Sequence, residues 1–184
     1  IAEKLMKQGH NPHFISRGYG GKAKGPLQVD LSVHNSRSVG DEALLLARKC
    51  TTWVSKNRVS AGMLAMKNGA DILILDDGFQ NPKLYKDLSI LAVENEFGLG
   101  NGRIIPAGPL RESPNDALKR ASLLLKIFSF GKSDTEIKLF ENLSIPTIRA
   151  NVIPNIEDSQ QLKGHDILAF SGIARPQKFF STLD

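Results

Sequence analysis

The chain has little cysteine, few aromatic residues and no long apolar run. Its 184 residues include one cysteine, one tryptophan and two tyrosines. Because Cys50 is the single cysteine, an internal disulfide and a thiolate metal cluster are both excluded. No apolar run is long enough to predict a membrane-spanning helix. Aromatic residues are scarce and no nucleic-acid recognition motif occurs, so we expect no nucleic-acid partner.

A phosphate-binding loop of the Walker A type is also missing from these residues. No segment has the G-x-x-x-x-G-K-[ST] spacing that places backbone amides and a lysine around phosphates. The first residue is Ile1 rather than methionine, and residues 1–9 have the pattern of the end of a helix. We therefore expect the chain to be a piece of a longer protein, at least at its N-terminus.

The composition is that of a globular protein with a mild basic excess. Apolar residues make up 41% and charged residues 23% of the chain, and the formal net charge is +5. A positive balance favours anionic partners such as phosphates, nucleic acid or an acidic membrane surface, without choosing between them. The length suits a single domain over residues 1–184.

Helical and strand-like segments alternate along the chain, which predicts an α/β fold with a doubly wound, mainly parallel sheet. Asn57 is expected to cap one helix, and Met63 and Met66 to face the core from it. The pattern predicts helices at residues 2–8, from 39, at 57–69, 116–120 and 134–142, and from 176; strands at 13–16, 51–55, 71–75, 88–93, 122–128, 146–152 and 166–170; and loop or hairpin structure at 24–36 and 155–163.

Two adjacent carboxylates follow the most apolar of these strands. Ile72–Leu75 runs directly into Asp76 and Asp77, and a glycine comes next. An unbroken apolar run of this length predicts a strand buried on both faces of a parallel sheet. Ligands of such sheets bind beyond the carboxyl ends of the strands. The two acids therefore fit a Walker-B-like Mg²⁺ site beside a nucleotide phosphate chain, and a solvated turn is the structural alternative.

A second candidate is the glycine-rich segment Arg17–Lys22, which follows a predicted strand. Three glycines in six residues allow the backbone to approach a ligand closely. Arg17 and Lys22 add positive charge, and Tyr19 adds a flat face with a hydroxyl group. The segment could cradle a phosphate, although a flexible connection explains the same composition.

Asp41 and Glu42 open a predicted helix, where carboxylates favour the positive end of the helix dipole. Capping is therefore a sufficient structural reason for both residues. The functional alternative is that Asp41 is a general base and that Glu42 assists a metal ion.

Arg111 lies in a loop of residues 94–112 that is unusually rich in glycine and proline, which is typical of a binding loop or lid. An arginine can grip phosphate through two parallel hydrogen bonds. The structural alternative is a surface ion pair between Arg111 and Glu112 or Asp116, which contributes little stability.

Five blocks in this order resemble the tetraacyldisaccharide 4'-kinase family, the lipid A 4'-kinases of Gram-negative bacteria. The resemblance extends from about residue 12 to residue 184. The blocks are Ser16–Gly21, Val39–Glu42, Leu75–Gln80, Gly100–Glu112 and Phe170–Pro176.

The resemblance implies a P-loop-type kinase fold and a peripheral enzyme on the cytoplasmic face of the bacterial inner membrane. Its activity would be the transfer of the γ-phosphate of ATP, with Mg²⁺, to the 4'-hydroxyl of an anionic tetraacylated disaccharide 1-phosphate in lipid A biosynthesis. By residue match, Asp41 would be the base, and Asp77 would also be catalytic. The Mg²⁺ ion and its waters would be served by Glu42, Asp76 and Asp77, with Gln80 in the surrounding shell. The phosphates or the sugar headgroup would meet Arg17, Tyr19 and Arg111.

The sequence departs from the family pattern at three points. The Walker A loop and a later Asp-His-His segment are missing, and Asn81 stands where the family usually has histidine. We therefore expect a chain truncated at both ends, which alone would be a weak or inactive kinase. The alternative is a non-catalytic nucleotide- or lipid-binding protein.

Overall fold

The computed structural model describes residues 1–129, 145–173 and 175–183. The chain divides into two compact units, Ile1–Lys86 and Asp87–Asp184. Both contain parallel strands and helices, so the predicted α/β class with mainly parallel sheets is confirmed. That residues 1–184 form a single domain stays a prediction. Within the described ranges, every helix is too short or too polar to cross a bilayer.

The first unit is built on a four-stranded sheet in the order β2-β3-β1-β4. The two central contacts, β1 with β3 and β1 with β4, are parallel, while β2 pairs antiparallel with β3. Its strands are β1 Pro12–Ser16, β2 Leu27–Gln28, β3 Thr52–Val54 and β4 Ile72–Leu75, and its helices are α1 Ala2–Lys7, α2 Ser36–Val39, α3 Asp41–Ala47 and α4 Arg58–Lys67.

The second unit has a wholly parallel three-stranded sheet in the order β5-β6-β7. Leu124 and Val93 form the centre of its small core. Its strands are β5 Ile90–Glu94, β6 Leu123–Phe128 and β7 Thr147–Asn151, and its helices are α5 Pro114–Arg120, α6 Ile156–Leu162 and α7 Pro176–Leu183.

Two predicted segments of the second unit are corrected. Residues 155–163 were expected to be a loop, but Ile156–Leu162 is helical because Asn155 caps it, its side chain accepting a hydrogen bond from the Glu157 amide at 3.2 Å. Residues 166–170 were expected to be a strand, but they join no ladder in the described structure. Without a partner strand, an apolar run gains no backbone pairing. The helix predicted at 134–142 lies outside the described residues.

The two methionines of α4 were predicted to face the core, and the structure shows that this prediction is wrong. Asn57 caps this helix as predicted, accepting from the Val59 amide at 3.1 Å. Met63 and Met66, however, are 69% and 63% exposed. Apart from Arg58 at the start of the helix, the buried residues are the small ones Ala61, Gly62 and Ala65, because these let the helix pack closely against the sheet. The methionines consequently lie on the opposite, outer face.

β4 differs from the prediction as well. It forms as expected, but all four residues of Ile72–Leu75 are only partly buried. The reason is its place at the end of the sheet order, with β1 as its one strand partner among the described residues. A strand at the edge of a sheet has a neighbouring strand on one side only, so its apolar side chains are less shielded from solvent than those of a central strand.

His13 of β1 and Trp53 of β3 form a buried polar contact inside the first sheet. Their side chains are 3% and 4% exposed, and Trp53 Nε1 donates to His13 Nδ1 at 3.1 Å. The ring must be unprotonated at Nδ1 to accept this bond. Burial lowers the pKa of His13, while the charge of Asp71 opposes the shift to a smaller extent.

We expect this histidine to make the protein less stable in mild acid. Below the ordinary histidine pKa of about 6.5, the unfolded chain takes up a proton that the folded chain resists, so stability is complete above that pH and declines as the pH falls through it. Urea unfolding at pH 7.5 and pH 5.5 measures the loss. His13→Gln retains an acceptor for Trp53 but does not titrate, so its loss between the two pH values should be smaller. Equal losses in the two proteins would contradict the assignment.

Candidate active site at the carboxyl end of the first sheet

Asp76 leaves the sheet beside Ser16, because β1 and β4 run parallel with Ile15 paired to Leu75. The Asp76 amide donates to the Ile15 carbonyl at 3.0 Å, which extends the pairing by one step. Ser16, only 2% exposed, donates its hydroxyl to Asp76 Oδ2 at 3.0 Å. One oxygen of this carboxylate is thus held by the sheet itself.

The glycine-rich segment begins at the same place. The Gly18 amide donates to the Ser16 hydroxyl oxygen at 3.3 Å, so one side chain connects this segment to Asp76. A Cβ added at Gly40 would lie 2.4 Å from the Tyr19 carbonyl oxygen. A Cβ at Gly21 would lie 2.7 Å from the Gly40 nitrogen. The segment therefore packs backbone against backbone on the junction between α2 and α3, and glycine is required at these contacts.

This packing brings Arg17 and Tyr19 to the start of α3. Both side chains are exposed, Tyr19 to 81%. They have room to meet a ligand, and their binding role remains a prediction.

The carboxylates at the start of α3 lie close enough to those after β4 to affect each other. Partial burial raises the pKa of Glu42, and the charges of Asp76, Asp41 and Asp77 raise it further. Acids separated by more than thirty positions in the sequence are therefore within electrostatic range of one another. Asp41 and Glu42 both lie in the first turn of α3, as predicted, and Asp41 Oδ1 accepts a bond from the Glu42 amide at 3.0 Å; the N-cap itself is Gly40, which has no side chain to cap the helix. The proximity of the acids is a separate fact that capping does not explain.

The donor set suits a hard cation such as Mg²⁺. All four side chains offer only oxygen, and mutual repulsion among carboxylates is relieved when a divalent ion lies between them. Within the described ranges, no group of three or more His, Cys, Asp or Glu side chains is placed so that it could hold a metal ion. Magnesium commonly uses one or two carboxylates together with waters and substrate phosphates, so an open arrangement fits this ion. The ligand roles of Glu42, Asp76 and Asp77 stay predictions.

Two residues that support the acids were not predicted as site residues. Ser16 holds the Asp76 carboxylate, and Arg58 Nη2 donates to the carbonyls of Asp76 and Asp77 at 3.1 and 3.0 Å. Neither has a local sequence signal, because their partners are 60 and 18 or 19 positions away in the sequence. For Ser16, one indication was available: it is a polar residue at the last position of β1, the strand that pairs with the strand leading into Asp76 and Asp77.

The residues after Asp77 form a tight turn, in which the Asn81 amide donates to the Gly78 carbonyl at 3.0 Å. Gln80 is exposed, and its role next to the metal ion is untested. Asn81, where the resembled family usually has histidine, accepts a bond from the Lys83 amide at 2.9 Å through its side-chain oxygen. Asn81 therefore stabilises the local loop.

Arg111 belongs to the second unit, in a loop that is folded on itself. Asn101 Nδ2 donates to the Ala107 carbonyl at 2.9 Å, and Asn101 Oδ1 accepts from the Arg103 amide at 3.1 Å. Glu112 forms an ion pair with Arg120. The loop therefore presents Arg111 on an ordered support, and binding by Arg111 remains a prediction.

Comparison with known proteins gives a consistent result. The family model described as tetraacyldisaccharide-1-P 4'-kinase matches residues 1–184. Among curated relatives named tetraacyldisaccharide 4'-kinase, those from Paramagnetospirillum magneticum, Rhodospirillum rubrum and Gluconobacter oxydans are 46%, 45% and 42% identical to the chain. Each alignment covers 100% of this chain and 55% of the relative, so the chain spans about half the length of the curated relatives it matches. No solved structure matches significantly.

Proposed function

Because the chain belongs to the tetraacyldisaccharide-1-P 4'-kinase family, we propose that its protein transfers the γ-phosphate of ATP to the 4'-hydroxyl of a tetraacylated disaccharide 1-phosphate. The observation that carries the proposal is geometric: parallel pairing of β1 with β4 brings Asp76 to Ser16, whose hydroxyl donates to Asp76 Oδ2 at 3.0 Å, at the place where the glycine-rich segment begins. A group of carboxylates at the carboxyl end of a parallel sheet is suited to phosphoryl transfer, which depends on positioning and charge neutralisation.

Each residue has a distinct role in this proposal. Asp76 and Asp77, with Glu42, would hold Mg²⁺ and its waters, and the ion would supply positive charge beside the transferred phosphate. Asp41 accepts the proton of the attacking hydroxyl group at a side-chain oxygen.

The basic side chains act on the substrates. Arg17 and Tyr19, carried by the glycine-rich segment, contact the phosphates or the sugar, with Gln80 near the ion. In the second unit, Arg111 is the residue of its loop that is suited to bind a phosphate or the sugar headgroup. Arginine suits this task because its planar fork matches phosphate oxygens.

We also propose that the protein works at the cytoplasmic face of the bacterial inner membrane, where its acylated substrate resides. The net charge of +5 favours an anionic lipid surface. Binding to anionic vesicles should weaken as salt is added, and binding that ignores salt would contradict electrostatic docking.

Transfer of ³²P from ATP to the acylated disaccharide by the complete gene product tests the reaction. We expect Asp41→Asn to lower kcat by about 100-fold or more, because asparagine keeps the shape but cannot accept the proton. Undiminished kcat in the variant would assign Asp41 to capping alone. ATP or lipid binding by the wild-type protein without any transfer would instead support the non-catalytic alternative.

A further inference from the structure

Arg58 is a charged residue buried where it has no carboxylate partner. It is the first residue of α4, its exposure is 9%, and it forms no ion pair with any described residue. Its Nε atom is buried and has no hydrogen-bond partner in the part of the chain that the structure describes. Burying a guanidinium group with so few hydrogen bonds costs free energy. A residue kept in such a position calls for a reason, and the two bonds that it does form point to one.

Both bonds reach the turn that carries the acids. The same nitrogen, Nη2, binds the carbonyl oxygens of Asp76 and Asp77. Two successive carbonyls can converge on one donor only if the chain turns sharply between them. Asp77 accordingly has a φ of 48°, in the left-handed region that residues other than glycine rarely adopt.

The direction of each carboxylate depends on this backbone turn. Asp76 has two further anchors, its amide bond to Ile15 and its side-chain bond to Ser16. These anchors lie on the strand side of the turn. Arg58 is bonded to the carbonyls on the other side, so it determines how the backbone leaves Asp76 and passes through Asp77.

We propose that Arg58 is a positioning residue for the acids: its bonds to the two carbonyls keep the turn in the conformation that aims Asp76 and Asp77 at the metal ion. This inference rests on the proposed function. Arg58 touches neither substrate nor metal, and it acts through the backbone of the residues that do.

The test uses the complete gene product with Arg58→Met, which keeps an unbranched apolar stem and removes the guanidinium donors. We expect the Mg²⁺ concentration for half-maximal transfer, and the dissociation constant of Mn²⁺ measured by electron paramagnetic resonance with ATP present, to rise about tenfold or more. The KM for the acylated disaccharide should change by less than about twofold. Arg58→Lys, with one compact donor group, should fall between the wild-type protein and Arg58→Met.

Two controls separate positioning from charge and from stability. Arg48→Met removes the same charge at an exposed position of the same unit and should leave metal dependence unchanged. His13→Gln alters a buried contact elsewhere in the sheet and should shift only the melting temperature.

The proposal is overturned if folded Arg58→Met keeps wild-type Mg²⁺ and Mn²⁺ dependence. If that variant does not fold, wild-type metal dependence in Arg58→Lys overturns it. A wild-type protein that performs no transfer would refute the proposed function instead, and the Mn²⁺ measurement on the same variants would still decide the role of Arg58.

Discussion

Asp76→Asn should lower phosphate transfer by about 100- to 1,000-fold, measured as kcat with ATP and the acylated disaccharide. Asparagine has nearly the same shape, and its side-chain oxygen can still accept the hydroxyl bond from Ser16. The fold should therefore remain intact while one negative charge at the metal site is lost. A melting temperature close to that of the wild-type protein would show that the effect is on chemistry rather than on folding.

The same strand offers a matched control. Asp71 lies at the opposite end of β4, where it accepts the Asn11 amide at 2.8 Å and contacts the His10 ring at 3.1 Å. Asp71→Asn changes the same chemical group next to the same strand, and we expect kcat within about twofold of wild type. If the two variants lost activity equally, the site would not lie at the carboxyl end of the sheet.

Gly40→Ala should disrupt both stability and transfer. Gly40 has a φ of 89°, and an added Cβ would lie 2.4 Å from the Tyr19 carbonyl oxygen. The methyl group must therefore push the glycine-rich segment away from the start of α3. We expect transfer to fall at least about tenfold, because Arg17 and Tyr19 move with that segment and small displacements of positioning groups are costly.

Gly9 isolates the effect of this contact. Its φ of 91° is nearly identical, but an added Cβ there would meet nothing within 4 Å. Gly9→Ala also places a Cβ at positive φ but without the clash, and the ψ of 152° at Gly40 adds strain of its own, so Gly40→Ala should lose about 1–3 kcal/mol more unfolding free energy in urea. Activity is compared at equal folded fraction. Equal losses in the two alanine variants would mean that the close approach of Gly40 and Tyr19 does not matter.

Features that depend on neighbouring residues in the sequence were predictable. The apolar run before Asp76, the acids in the first turn of α3 and the Asn57 cap all follow from local chemistry, and each forms as expected. Met63 and Met66 were wrongly placed in the core, because the spacing of large apolar residues cannot reveal that small residues bring a helix closer to its sheet.

The support of the candidate site could not be predicted in the same way. Ser16 and Arg58 gain their roles from chain segments that meet only in the folded structure. The resemblance to a kinase family was confirmed by the family match, but it identified candidate ligands and not the residues that hold them. The roles of the individual site residues remain to be measured.

The backbone of Asp77 affects how any mutational scan of this site should be interpreted. Among residues with a side chain, asparagine and aspartate tolerate a φ of 48° best, since alanine lacks a polar group that bonds locally. An alanine scan would therefore combine a charge deletion with a conformational penalty and overstate the electrostatic contribution of this position. Asparagine and glycine, tested side by side, would separate the two contributions.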